Sequence, residues 1–254
     1  MASTSEVGHA KNIANFEDLI SFCTNYGTNY NPSKTALQLP QLNSLFTTAQ
    51  TNLNNVTITN TAYNTAINAR VQAFENIKKL STRLVNALEA TDASKQNIND
   101  AKGYNKKIQG TSGKLTKADA GKIAAPVDAS APVPENVKTI STSQQSYDQL
   151  VEHFSKLINV LATEPSYNPN EVPLQTATLN ALLTTLKNSN TAVINAYTTV
   201  STARIARDKS LYDVKTGLCD IAQDVKNYVK SVYGATAPEF KQISSLQFKI
   251  PKKK

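Results

Sequence analysis

Apolar residues return every three or four positions at two well-separated places in the chain. Phe16, Leu19, Ile20 and Cys23 form one group, and Leu150, Phe154, Leu157, Ile158 and Leu161 the other. That spacing lines one face of a helix, so a short helix is expected at each place. A Tyr-Asn-Pro sequence follows each group, beginning at Tyr30 and at Tyr167. Proline disfavours helix at the residue before it and asparagine accepts tight turns, so both helices stop there.

Beyond each turn the pattern becomes a heptad. From Gln41 to Lys102 the chain contains no glycine or proline; its counterpart runs from Leu174 to Thr216, then past Gly217 to Tyr233. One seam reads Leu42, Ala49, Val56, Tyr63, Arg70, Ile77, Leu84, and a second Phe46, Leu53, Asn60, Ile67, Phe74, Ser81, Leu88. The matching seams are Leu179, Leu186, Val193, Val200, Arg207, Val214, Ile221 and Leu183, Asn190, Tyr197, Arg204, Leu211, Leu218, Val225. A sustained seven-residue repeat belongs to helices that wrap around partners. An unbroken helix of about 48 residues is about 70 Å long at ~1.5 Å per residue, too long for an ordinary globular core. The weakest stretch is Thr51 to Thr61, where β-branched and Asn residues cost up to ~0.7 kcal/mol each. The heptad phase survives it, which predicts continuity there.

The two stretches also repeat in sequence. At the one offset that sets Tyr30 on Tyr167, residues Asn31, Pro32, Leu37, Gln38, Leu42, Asn43, Leu45, Thr47 and Thr48 all recur, as does the Ala-Arg pair at Arg70 and Arg207. Upstream, FEDLI from Phe16 matches FSKLI from Phe154 after a one-residue gap. Such a repeat is read before any motif. It predicts two homologous halves, roughly residues 8–100 and 143–240. The expected fold is all-α: an elongated helical bundle in which each half contributes a short helix and one very long helix. Residues 1–109 form the first repeat and 141–254 the second, with a basic tail. Between them, 110–140 has the Pro/Ala/Gly composition of a linker.

The Tyr-Asn-Pro turn, the long helix and the closing YGATAPEFKQISSLQFK, Tyr233 to Lys249, resemble a group of duplicated, helical bacterial proteins of unassigned function. That resemblance implies the duplicated helical frame and transfers no functional residue.

Composition narrows the function. No apolar run in the 254 residues approaches the ~18 needed to span a bilayer, so no transmembrane segment is expected. The opening MASTSEVGHAKNIANFEDL has no charged-then-apolar leader, which makes a cytoplasmic address the expectation. Cys23 and Cys219 lie alone in apolar patterns, without CxxC spacing, and are expected to be buried free thiols.

The net charge of +8 is concentrated in two windows. Seven lysines face two acids from Lys95 to Lys122, and seven face one acid from Lys226 to Lys254. Each window follows a helix end, where cations complement the helix dipole by ~0.3–1 kcal/mol. The sharper reading is an anionic partner, nucleic acid or another polyanion, met by Lys102, Lys106, Lys107 and Lys114 and by Lys249, Lys252, Lys253 and Lys254. Lysine outnumbers arginine there and aromatics are sparse, so such binding would be sequence-independent and salt-sensitive.

Catalytic chemistry finds little footing. His9 and His153 are the only histidines and have no HExxH context. GTSGKLT, from Gly110, lacks the glycine spacing of a phosphate loop, and no G-x-S-x-G elbow occurs. No catalytic residue, metal or cofactor is expected. Arg70 and Arg207 stand out because they occupy equivalent seam positions. Each is expected either to snorkel towards a flanking acid, Glu75 or Asp208, or to form a buried polar layer that fixes register. A membrane-active toxin is disfavoured, since no long apolar hairpin is visible. The expectation is a non-enzymatic, rod-like structural or assembly protein that self-associates, with the sequence-independent polyanion binder as the alternative.

Overall fold

The computed structural model describes residues 4–110 and 145–251, and all of these lie in helices, turns and extended connections, without a strand. The fold class is all-α, as the 3.6 and 3.5 periodicities require. The segment read as a linker lies, apart from its first residue, outside the described residues.

Helix α1 (Thr4–Asn25) is followed by the first Tyr-Asn-Pro turn and a 3-10 turn, Thr35–Leu37. Helix α2 (Leu39–Phe74) then runs unbroken through the Asn/Thr-rich stretch. Its threonines are accommodated within the helix there. The Thr59, Thr61 and Thr65 hydroxyls donate to the carbonyls of Asn55, Thr57 and Thr61 at 2.7, 3.0 and 3.0 Å. Back-bonding of this kind satisfies the side chain inside the helix rather than competing with it.

The long helix does not extend as far as the heptads imply. A turn at Glu75 and Asn76 separates α2 from α3 (Ile77–Glu89), and α4 (Lys95–Gln109) follows a second turn. Phase was a poor guide because the interruption is short, and Phe74 and Ile77, on either side of it, both enter one core. Ser94 caps α4 by accepting from the Asn97 amide at 3.1 Å, and Gly110 closes it at φ +79°.

Later in the chain come α5 (Tyr147–Thr163), a 3-10 turn (Val172–Leu174), α6 (Thr176–Tyr212), α7 (Leu218–Tyr233) and α8 (Pro238–Ser244). The break between α6 and α7 has a local cause. Lys215 adopts φ +68°, and a Cβ on Gly217 would stand 2.5 Å from the Asp213 nitrogen, so only glycine fits. The Asp220 carboxylate accepts from the Lys215 amide at 2.8 Å beside the start of α7.

The two Tyr-Asn-Pro turns have the same internal bonding. Tyr30 donates its hydroxyl to the Leu37 carbonyl at 2.6 Å, and Tyr167 donates to Leu174 at 2.9 Å. Gln38 reaches the Pro32 carbonyl at 3.5 Å, and Gln175 that of Pro169 at 3.3 Å. In each case the tyrosine ring is buried and its hydroxyl meets a carbonyl that the 3-10 turn leaves over.

The chain divides into two compact units whose boundaries fall within α2 and within α6: Met1–Thr65 with Ile194–Lys254, and Ala66–Val193. In the first, α1 packs on α7 and α8, around Phe16, Leu19, Cys23, Leu42, Leu218, Ala222 and Val225. In the second, α3, α4 and α5 pack together, around Leu84, Leu88, Ile108, Phe154, Leu157 and Leu161. Full burial of a side chain such as Phe16 or Phe154 contributes about 1.5–3 kcal/mol.

Candidate assembly surface

The outer surface of α2 and α6 is unusual in its chemistry. Between Lys34 and Arg70 there is no charged residue, and between Lys187 and Arg204 there is none either. Threonines crowd both stretches, and their hydroxyls are committed to the helix. Thr47 and Thr48 donate to Asn43 and Ser44, and Thr191, Thr198 and Thr199 donate to Lys187, Ile194 and Asn195, all at 2.8–3.2 Å. With the hydroxyl turned back, each threonine offers its methyl outward, so the surface is less polar than its composition.

Large apolar side chains also stand on it. In the unit built from both ends of the chain, Ile194, Tyr197 and Ile205 of α6 are 59, 56 and 67% exposed. Their spacing of three and eleven puts them on one helical stripe. Val193, Val200 and Leu211 occupy the buried face of the same helix. The Tyr197 ring also leans on Tyr63 of α2, with centroids 5.8 Å apart.

The seam arginines are placed in different units and have different partners. Arg207 is buried, and its Nε and one terminal nitrogen donate to the Asp208 carboxylate at 2.9 and 2.8 Å. Asp208 is one of the two acids proposed from the sequence. Arg70 takes neither acid but lies over the Tyr147 ring, its guanidinium carbon 4.1 Å from the centroid. Asn190, another seam residue, is buried and donates to Asp148 at 2.9 Å.

The lysines divide likewise. Lys102 pairs with Glu89, and Lys107 lies over the Tyr104 ring at 5.8 Å. Lys106 and Lys107 occupy the last turn of α4, where they complement its dipole. Lys249 belongs to an extended segment bound to α1. Lys114, Lys252, Lys253 and Lys254 lie outside the described residues.

The histidines and cysteines are internal. His9 shares a 2.6 Å hydrogen bond with the Tyr212 hydroxyl, and His153 is buried with neither ring nitrogen hydrogen-bonded. Burial, helped by the charge of Lys107, pushes the His153 pKa below its ordinary value. Cys23 and Cys219 are free and buried, and burial raises each thiol to about 12. Among the described residues, no group of three His, Cys, Asp or Glu side chains is placed to hold a metal ion, and no helix is long and apolar enough to cross a membrane.

Sequence reasoning missed the seat of the segment after α8. Leu246–Ile250 runs extended along α1, held chiefly by two asparagines. Asn12 donates to the Lys249 carbonyl at 2.8 Å and accepts from the Lys249 amide at 2.9 Å, while Asn15 donates to the Gln247 carbonyl at 2.7 Å. Buried polar residues at Asn12 and Asn15, on the apolar side of α1, were the available signal. No family model, curated protein or solved structure matches this chain.

Proposed function

We propose that this is a non-enzymatic assembly protein that associates with further copies of itself, its two repeats having arisen by duplication. The supporting observation is the exposed pair Ile194 and Tyr197 in a helical run that carries no charge, with exposed Ile205 just past its end at Arg204. The net charge of +8, concentrated in two lysine-rich windows, makes copies repel where those windows meet. The charge-free stretches of α2 and α6 are where two copies can approach without that penalty. Threonine methyls and isoleucines there supply apolar area, and the exposed asparagines supply adaptable hydrogen bonds.

One such stripe is small beside the ~1,200–2,000 Å² that a stable pairwise interface buries. The assembly is therefore built from weak contacts repeated along a series of copies, in which avidity replaces pairwise affinity. Light scattering and sedimentation across concentration and salt test this, together with electron microscopy of the concentrated protein. Mass should rise with concentration and persist, or increase, as salt screens the net charge. A monomer throughout the range contradicts the proposal. Mass gained only when nucleic acid is added, and lost steeply with salt, assigns the protein to polyanion binding instead.

A further inference from the structure

The two Tyr-Asn-Pro turns share their internal bonds but differ in what packs beside them. At the offset that sets Tyr30 on Tyr167, Leu84, Val85 and Leu88 of α3 fall on Ile221, Ala222 and Val225 of α7, and all six are buried. In the unit built from both chain ends, α7 offers a tyrosine to its turn. The Tyr228 ring stands edge-on to Tyr30, with centroids 5.4 Å apart, and its hydroxyl accepts from the Asn31 amide at 3.1 Å. One helical turn earlier, Asp224 pairs with Lys34 at 2.6 Å.

In Ala66–Val193 the side chains that make these contacts are exchanged. By the same offset Thr91 falls on Tyr228, Ala87 on Asp224 and Glu171 on Lys34. The Thr91 hydroxyl turns back to the Leu88 carbonyl at 2.7 Å, just past the end of α3. Beside this turn lies an open cleft of about 380 Å³, bordered by Ala87, Thr91, Tyr167, Asn168 and Glu171. Among the described residues, the Tyr167 ring has no aromatic partner, the Asn168 amide no acceptor and the Glu171 carboxylate no cation.

We propose that this cleft binds a small phenol bearing an amine, its ring edge-on to Tyr167, its oxygen accepting from the Asn168 amide and its ammonium paired with Glu171. The other turn supplies the pattern for the ring and the hydroxyl, since Tyr228 makes both contacts there. The exchange of Lys34 for Glu171 sets the sign of the charge. The missing bulk is that of two side chains, because α3 already lines the cleft with Ala87 where α7 carries Asp224. A small molecule fits that space. Residues 111–144 contain no aromatic residue, so that segment has no ring to offer. No tyrosine of this chain has a lysine or arginine four residues before it, so a second copy presents no ring and cation in the arrangement of α7.

Titration of the full ¹⁵N-labelled chain with tyramine, followed at its backbone amides, tests this. Two analogues run beside it: para-hydroxyphenylpropionate, with the same ring and the opposite charge, and phenethylamine, which lacks the hydroxyl. Tyramine should shift the Asn168 and Thr91 amides saturably, and each analogue should bind about threefold more weakly or worse. The net charge of +8 attracts the acid, so a preference for the amine is read against the chain's own field. Glu171→Lys, at an exposed position, should reverse the order of tyramine and the acid. Thr91→Tyr should abolish the shifts by filling the cleft from within. No saturable shift at Asn168 up to about 10 mM tyramine overturns the proposal. So does an analogue that binds as well as tyramine, or an unchanged order in Glu171→Lys. Should Thr91→Tyr misfold, the Glu171→Lys comparison decides.

Discussion

The Arg70 guanidinium carbon lies over the Tyr147 ring, 4.1 Å from its centroid, while Phe74 meets the same ring edge-on at 4.8 Å. The first residue of α5 thus sits between a cation and a phenyl group from the last two turns of α2. The ring, not the hydroxyl, makes both contacts. Tyr147→Phe should leave the stability of the Ala66–Val193 unit within about 0.5 kcal/mol, whereas Tyr147→Leu should cost ~1–2 kcal/mol. Urea unfolding of the two variants, followed by amide exchange in α5, distinguishes these outcomes.

The paired tyrosine bonds make a second prediction. Tyr30→Phe and Tyr167→Phe each strand a carbonyl, of Leu37 and of Leu174, that is now bonded. A loss of ~1–2 kcal/mol is expected from either. Since the two tyrosines belong to separate compact units, hydrogen exchange should accelerate in a different set of helices for each variant, and the double variant should lose the sum.

Acid should loosen the α4–α5 contact through His153. Its folded pKa is depressed by burial and by Lys107 on α4, with Lys156 of its own helix adding to the effect and Glu152 opposing it. The unfolded chain therefore takes up this proton first. Above about pH 6.5 the ring is neutral in both states and contributes nothing; as pH falls through about 6.5 towards the folded pKa, stability is lost. Glu164, whose pKa is lowered by bonds from Asn97 and Ser166, acts only in the carboxylate range below that window. His153→Leu should flatten the pH dependence of α4 and α5 amide protection just below about pH 6.5.

The thiols give a simple test of burial. With pKa values of about 12, Cys23 and Cys219 are thiolate at pH 8 to only about one part in ten thousand. A thiol reagent should react with neither in the native protein and with both in denaturant. Rapid labelling of one alone would show local opening around that cysteine within the unit that both share.

The helices and turns were legible because their causes are local. Three-and-four spacing marked α1 and α5, and the prolines marked their ends. The continuity of α2 across Thr51 to Thr61 followed from the unbroken heptad phase, despite poor propensities. The break at Glu75 and Asn76 left no mark, since neither residue stops a helix and Ile77 resumes the apolar pattern in phase. The corresponding break after Tyr212 had a visible sign in Gly217, whose Cβ-free backbone the turn requires. Helix α4 was hidden in what read only as a run of lysines, although Ser94 stood at its start as a cap. Of the candidate residues, Arg207 reached the acid beside it. Arg70 met a ring from a helix far along the chain, which no local pattern encodes. The seat of Leu246–Ile250 on α1 was least legible, because Asn12 and Asn15 acquire their role only when Gln247 and Lys249 arrive.

The boundary that falls inside both α2 and α6 also governs the order of biosynthesis. Ala66–Val193 is one continuous stretch and can close as soon as it leaves the ribosome, whereas the other unit joins residues made before that stretch to residues made after it. Helix α1, with Phe16 and Cys23 on one side, must wait for the whole of Ala66–Val193 to be made before α7 and the segment that follows appear. During that interval its greasy side lacks the cover of α7, so the newborn chain is most vulnerable to holdase capture or premature clumping then.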